Sequence, residues 1–140
     1  ARCKIMKLFI DTNVVIDVIA SREPFFSASQ EILSLCEEGG VEGTMSALTL
    51  CTIAYVLRKH LSPQTMRQKL GELRTVLKPV ELNAAILDQA IASQIGDFED
   101  AVQFYSAVRC EADYIITRNV KHFPKANTPV LSPIGFLALR

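Results

Sequence analysis

Short apolar runs and polar breaks alternate along the chain in a way that predicts strands and helices by turns. Leu8, Phe9 and Ile10 form an unbroken apolar run that stops at Asp11, as a strand covered on both faces does. Strand one is expected over residues 5–10, followed by a helix from about Asn13 to Ser21. Pro24 opens a second helix reaching about Glu37, with Ile32, Leu33 and Cys36 at helical spacing. Gly39-Gly40 stops it. "VEGTMS" predicts a short strand, with Ser46 capping a helix from Ala47 to about His60. Pro63 begins another helix, with Met66, Leu70, Leu73 and Leu77 on one face. "KPVEL" predicts a strand, and Asn83 caps a helix from Ala84 to about Ser93. After Gly96-Asp97, a helix from Phe98 to Cys110 is expected to bury Ala101, Phe104, Tyr105 and Val108. "ADYIIT" and "PVLS" supply the last strands, and Pro133 starts a terminal helix.

Alternating strands and helices imply an α/β fold, one parallel twisted sheet with helices on both faces. In such sheets a site forms outside the carboxyl ends of the strands. Asp11-Thr12-Asn13, Thr44-Met45-Ser46 and Thr117-Arg118-Asn119 all leave strands at that edge. Asp97 to Asp100 enters a helix and joins them if that helix packs beside strand one.

Composition adds bounds. The 140 residues are 49% apolar, which suits one globular domain over residues 1–140 with an adequate core. No apolar run reaches the ~18 residues of a membrane span, and Asp11 interrupts the early apolar stretch before it could be a secretory signal. "MKLFID" is a candidate natural start, which would make residues 1–5 an extension. Cys3, Cys36, Cys51 and Cys110 show neither paired nor zinc spacing, so reduced thiols in a cytoplasmic protein are expected, three of them as small buried hydrophobes in helices. Net charge is zero, yet Gly43 to Gly71 has Arg58, Lys59, Arg67 and Lys69 with no carboxylate, while Glu81 to Asp113 is acidic. A solvated surface produces such a split; so does a protein holding cations at one place and a polyanion at another.

Asp11 is the sharpest feature. Thr12 and Asn13 have an ordinary use as helix caps, but a carboxylate at the end of a buried strand is a capping group, a metal ligand or a nucleophile. Asp97 and Asp100 fit a cap and the third helical position; Asp100 lies beside the apolar stripe, whereas Glu99 is expected to point into solvent. Gathered together, Asp11, Asp97 and Asp100 would raise one another's pKa unless a cation were present. Mg²⁺ or Mn²⁺ resolves that conflict with oxygen ligands, and such ions activate water against phosphodiesters. Asn119 could complete the shell or orient a water, against its common use in turns. Thr117 and Ser46, with Asn13 beside them, are candidates to bond the carboxylates.

"FIDTNVVIDV", "MSALTLCTIAYVLRK", "DFEDAVQFYSAV", "ADYIITRNVKHF" and "VLSPIGFL", in that order, resemble a PIN-domain (PilT N-terminus) nuclease of the compact bacterial kind found as toxins of toxin–antitoxin modules. The resemblance spans Leu8 to about Leu137. It implies a Rossmann-like sheet of about five strands in the order 3-2-1-4-5, and Mg²⁺- or Mn²⁺-dependent cleavage of RNA. Asp11 matches the family's first acid and Asp100 the acid of the later helix. Asp97 is an extra ligand, and Asn119 matches the Asp-or-Asn of the Thr-Arg-Asn motif. The resemblance also implies an antitoxin partner and a homodimer formed through helices around residues 24–38 and 63–77.

Two positions depart from the pattern. Thr52 stands where the helix after strand two usually carries Glu, and His122 stands where a second Asp often precedes Phe123. Three readings follow. The leading one is a metal-dependent endoribonuclease, with Arg58, Lys59, Arg67, Lys69, Arg118 and Lys121 guiding the RNA backbone and affinity falling steeply with salt. The second is a catalytically degenerate PIN domain that binds RNA or a partner protein, motivated by Thr52. The third is phosphoryl transfer with Asp11 as nucleophile; Asn13 stands where haloacid-dehalogenase-like phosphatases carry their second Asp.

Overall fold

A computed structural model describes residues 4–140; Cys3 and the first part of the expected extension lie outside them. The chain runs through strand β1 (Lys7–Ile10), helix α1 (Thr12–Ile19), α2 (Phe26–Glu37), β2 (Glu42–Ser46), α3 (Ala47–Val56), α4 (Pro63–Val76), β3 (Lys78–Val80), α5 (Ala84–Ala92), α6 (Phe98–Arg109), β4 (Tyr114–Ile116), a 3-10 turn (Val120–His122), β5 (Val130–Leu131) and α7 (Pro133–Leu137). The five strands are parallel, as their alternation with helices predicts, in the order β3-β2-β1-β4-β5 that the family resemblance implies. Every helix opened by a side-chain cap obeys its local chemistry. Ser46, Ser62, Asn83, Asp97 and Ser132 each accept a backbone N–H of the first turn, bonds that an isolated helix end would leave to water.

Register decides which side chains meet which helix. Phe9 lies opposite Thr44 and Ile115, and Ser46 opposite Val80, so these residues share one face of the sheet. There Phe9, Val80 and Ile115 pack with Phe104 and Ala107 of α6, while α5 and α6 join through Ile86, Ala90, Ala101 and Val102. The other face carries the larger core, in which Leu8, Ile10, Met45 and Ile116 meet side chains from α1, α2, α3, α4 and α7. Gly43 marks the tightest approach. A Cβ there would lie 2.5 Å from Leu77 Cδ2 and 2.6 Å from Cys36 Sγ.

Several local expectations change. β1 begins at Lys7 rather than residue 5, and α2 at Phe26 rather than Pro24. α3 stops at Val56 instead of His60, because Leu57 turns inward and its carbonyl accepts His60 and Leu61 in a turn. Val108 is 43% exposed; the inward stripe of α6 is instead Ala101, Val102, Gln103, Phe104, Ser106 and Ala107. Of the three helical cysteines Cys36 is buried, Cys110 is partly covered and Cys51 is exposed. Burial pushes the Cys36 thiol up to about 12. Among the described residues, no helix is long and apolar enough to cross a membrane.

Candidate active site

The period-two alternation of a strand places Asp11 and Thr117 on the same face as Phe9 and Ile115, which is the face covered by α6. Asp11 is 3% exposed. Its Oδ1 accepts the Thr12 backbone N–H at 2.8 Å and the Gln103 Nε2 at 2.9 Å. Its Oδ2 accepts the Thr117 hydroxyl at 2.7 Å. Asp11 therefore caps α1 itself, a role the sequence suggests more readily for Thr12 or Asn13. Thr12 turns inward, its hydroxyl 2.9 Å from that of Thr49 on α3 and 3.2 Å from Gln103 Nε2.

The loop after β4 is fastened to the same group. Thr117 Oγ1 accepts the Asn119 backbone N–H at 3.0 Å and faces Asn13 Nδ2 at 3.4 Å, while Asn13 Oδ1 accepts the Arg118 N–H. Asn13 and Thr117 thus sit where a supporting shell is expected. Ser46 lies on the same face but its hydroxyl accepts the Leu48 N–H as the cap of α3. Asn119 is partly buried beside Thr117.

The first turn of α6 brings the remaining acids. Asp97 Oδ1 accepts the Asp100 N–H at 3.0 Å, so this residue is the cap of α6. Asp100 Oδ2 lies 3.4 Å from His122 Nδ1, with the Asp100 side chain 15% exposed and the imidazole 58% exposed. Partial burial, then the charges of Asp11 and Asp97, push the Asp100 carboxyl above its usual range, with His122 opposing them. Glu99 is likewise pushed up by desolvation, Asp11, Asp97 and Asp100. Glu99 is exposed, as its place in the sequence suggests, yet feels the same acidic edge.

The expected cations are dispersed. Arg118 turns inward: its Nε is 2.5 Å from Asp17 Oδ2 and its Nη2 3.2 Å from Oδ1. Its guanidinium stacks 4.1 Å above the Phe25 ring. Arg58 lies over the Tyr55 ring and, with Arg67, lines a hollow between α3 and α4. Lys69 lines a groove with Val18 and Ile19, at the opposite end of α1 from Asp11, about 12 Å away at 1.5 Å per residue. Lys59 is exposed just past α3. Lys121 is exposed on the 3-10 turn, next in the chain to His122, whose ring faces Asp100. Thr52 is half-buried one turn beyond Thr49, whose hydroxyl is the α3 group that meets the site, at Thr12.

Sequence reading overlooks Gln103, Thr49 and Asp17. Gln103 is a long polar side chain in a stripe otherwise made of apolar residues and Ser106, one turn after Asp100. Asp17 interrupts "VVIDVI", and an acid flanked so closely by buried positions requires a partner.

A family model described as the PIN domain matches residues 7–121. The chain belongs to the PIN-domain family. No curated protein matches it in sequence. Among solved structures, a chain of a toxin–antitoxin complex from Klebsiella pneumoniae is 20% identical with a TM-score of 0.67, over 90% of this chain and 97% of that one. A chain of VapBC2 from Rickettsia felis, bound to a DNA fragment from their promoter, is 18% identical at a TM-score of 0.64, covering 91% and 98%. A chain of FitAB bound to the IR36 DNA fragment is 19% identical at 0.64, covering 90% and 94%. At these identities the likeness is one of fold.

A PIN domain implies a divalent cation, and the donor set can be compared with that demand. A carboxylate offers about four acceptor directions; Asp11 uses three of them on protein donors. Asp97 keeps one oxygen beyond its cap bond. Among the described residues no group of three or more His, Cys, Asp or Glu side chains is gathered closely enough to hold a metal ion. Mg²⁺ does not need one, since it usually keeps several waters and takes one or two carboxylates. The residues present fit that open kind of site.

Proposed function

We propose that this PIN domain is a metal-dependent endoribonuclease, hydrolysing RNA phosphodiester bonds as the toxin of a toxin–antitoxin pair. The observation that carries the reading is the acidic edge itself. Burial first, then repulsion from Asp11 and Asp97, pushes the Asp100 carboxyl up, and Glu99 is raised by desolvation and by repulsion from Asp11, Asp97 and Asp100. A divalent cation converts that repulsion into ligation.

Asp11 and Asp100 would hold the Mg²⁺ or Mn²⁺, with the second oxygen of Asp97 as a further ligand. Bound there, the cation supplies acidified water and neutralises charge on the phosphodiester. Thr117 and the Thr12 N–H keep the Asp11 carboxylate in one orientation. Asn119, placed by its backbone bond to Thr117, orients the attacking water. An antitoxin partner is part of the proposal, supported by the fold shared with chains of toxin–antitoxin complexes. So is a homodimer, though the exposed large apolar residues favour α3 and α5, through Tyr55, Val56, Leu87 and Ile91, over the α2 and α4 faces.

Thr52 favours a second reading, a degenerate PIN domain that binds RNA or a partner without cutting. Incubating single-stranded RNA and Mn²⁺ with wild type, Asp11→Asn and Asp100→Asn decides between them. Cleavage by wild type alone is expected. Equal cleavage by all three would refute the nuclease reading, and Mn²⁺-independent RNA binding without cleavage would support the second.

A further inference from the structure

Gln103 carries a conflict that packing alone does not explain. It is 1% exposed on α6, and its Nε2 donates to both Asp11 Oδ1 and Thr12 Oγ1. Its Oε1 is buried with no hydrogen-bond partner. Turning the amide over would not help, because an amide oxygen would then face a carboxylate oxygen. A buried carbonyl left unpaired is costly, and an apolar side chain of the same length would avoid that cost. What the amide supplies in return is a neutral donor on the one carboxylate that β1 delivers to the acidic edge.

We infer that Gln103 is a positioning residue, whose amide fixes Asp11 Oδ1 and so aims the rest of that carboxylate toward the divalent cation. The inference rests on the nuclease reading above. Thr12 and Thr49 extend the same neutral network from α1 to α3, with their hydroxyls 2.9 Å apart. The amide therefore ties the carboxylate to two further elements without adding a charge. A supporting donor of this kind is typically worth about 10- to 100-fold in metal affinity or rate.

Gln103→Met tests it, since methionine matches the length and flexibility while removing both the donor and the unpaired oxygen. Mn²⁺ calorimetry should show affinity falling about 10- to 100-fold. Ribonuclease kcat at fixed Mn²⁺ should fall with it, and raising Mn²⁺ should restore it, because the loss is one of cation binding. Affinity and kcat within twofold of wild type would overturn the positioning role while leaving the nuclease reading intact. Wild type that neither binds Mn²⁺ nor differs from Asp11→Asn in cleavage would overturn both. If Gln103→Met does not fold, wild type still decides. The Gln103 side-chain amide signals in a ¹⁵N-correlated spectrum should move on Asp11→Asn and on saturation with Mg²⁺. Signals unmoved in both would overturn the inference.

Discussion

Arg118→Met is the substitution for which the structure fixes both sign and size. The Asp17 carboxylate is 0% exposed while the Arg118 side chain is 26% exposed. Two short bonds and the Phe25 ring hold the guanidinium over it. Removing Arg118 leaves a buried charge unpaired, which costs about 3–5 kcal/mol. With an unfolding entropy of about 2.1 cal/mol/K per residue, a chain of 140 residues loses about 1 °C of Tm per 0.3 kcal/mol. Arg118→Met should therefore melt about 10–17 °C below wild type. Asp17→Asn is milder, at about 1–2 kcal/mol, because the amide still accepts and the guanidinium can reach water. Replacing both, as Asp17→Leu with Arg118→Met, should recover at least about 2 kcal/mol relative to the sum of the single changes. Thermal melts and urea midpoints near neutral pH give all the values. Equal costs for the two single variants, or strict additivity in the double, would refute the argument.

Gly43→Ala forces a methyl against Leu77 and Cys36, and should cost about 1–3 kcal/mol by urea midpoint; an unchanged midpoint would count against the packing described. In the native protein, peptide mapping after a brief thiol label should find Cys51 modified and Cys36 untouched, because Cys36 is buried with its thiol raised to about 12. Labelling of Cys36 as fast as Cys51 would contradict its burial. Asp100 has its folded pKa raised above the usual 3.8, so its contribution is fully present below that value and is lost as pH rises through the raised one. Without metal, the Tm of Asp100→Asn minus that of wild type should therefore grow as pH rises from about 4. A difference that shrinks over this window would reverse the sign.

The alternation of strands and helices, the caps at Ser46, Asn83 and Asp97, and the edge on which Asp11 lies were all legible, because each depends on a local rule or on strand periodicity; the sheet order came only with the family resemblance. Side-chain partners across the fold were not. Arg118 reads as a surface cation because nothing local announces Asp17, 101 residues away in sequence. Glu99 is exposed, as helix spacing suggests, yet the first turn of α6 lies close enough to β1 for it to feel Asp11 as Asp100 does, which spacing does not announce. Gln103 sits on a stripe that the apolar pattern traces without explaining its one amide. The misplaced end of α3 has the same origin, since Leu57 is drawn inward by the core of the opposite sheet face, a constraint that helix propensity does not contain.

The dispersal of the cations bears on how RNA would approach. On the proposed reading the backbone must pass the acidic edge formed by β1 and the first turn of α6. Arg118 is turned into the protein, Lys69 lies at the far end of α1, and Arg58 and Arg67 flank a separate hollow. His122 lies beside Asp100, with Lys121 next to it in the chain. Each neutralised phosphate contributes about 0.7 to the logarithmic salt slope for a single strand, so two such contacts give a much shallower dependence than the six cations suggested by sequence. Most of the attraction for a polyanion at this edge would then come from the metal. That couples RNA binding to cation binding, and it places the burden of both on how firmly Asp11 is held.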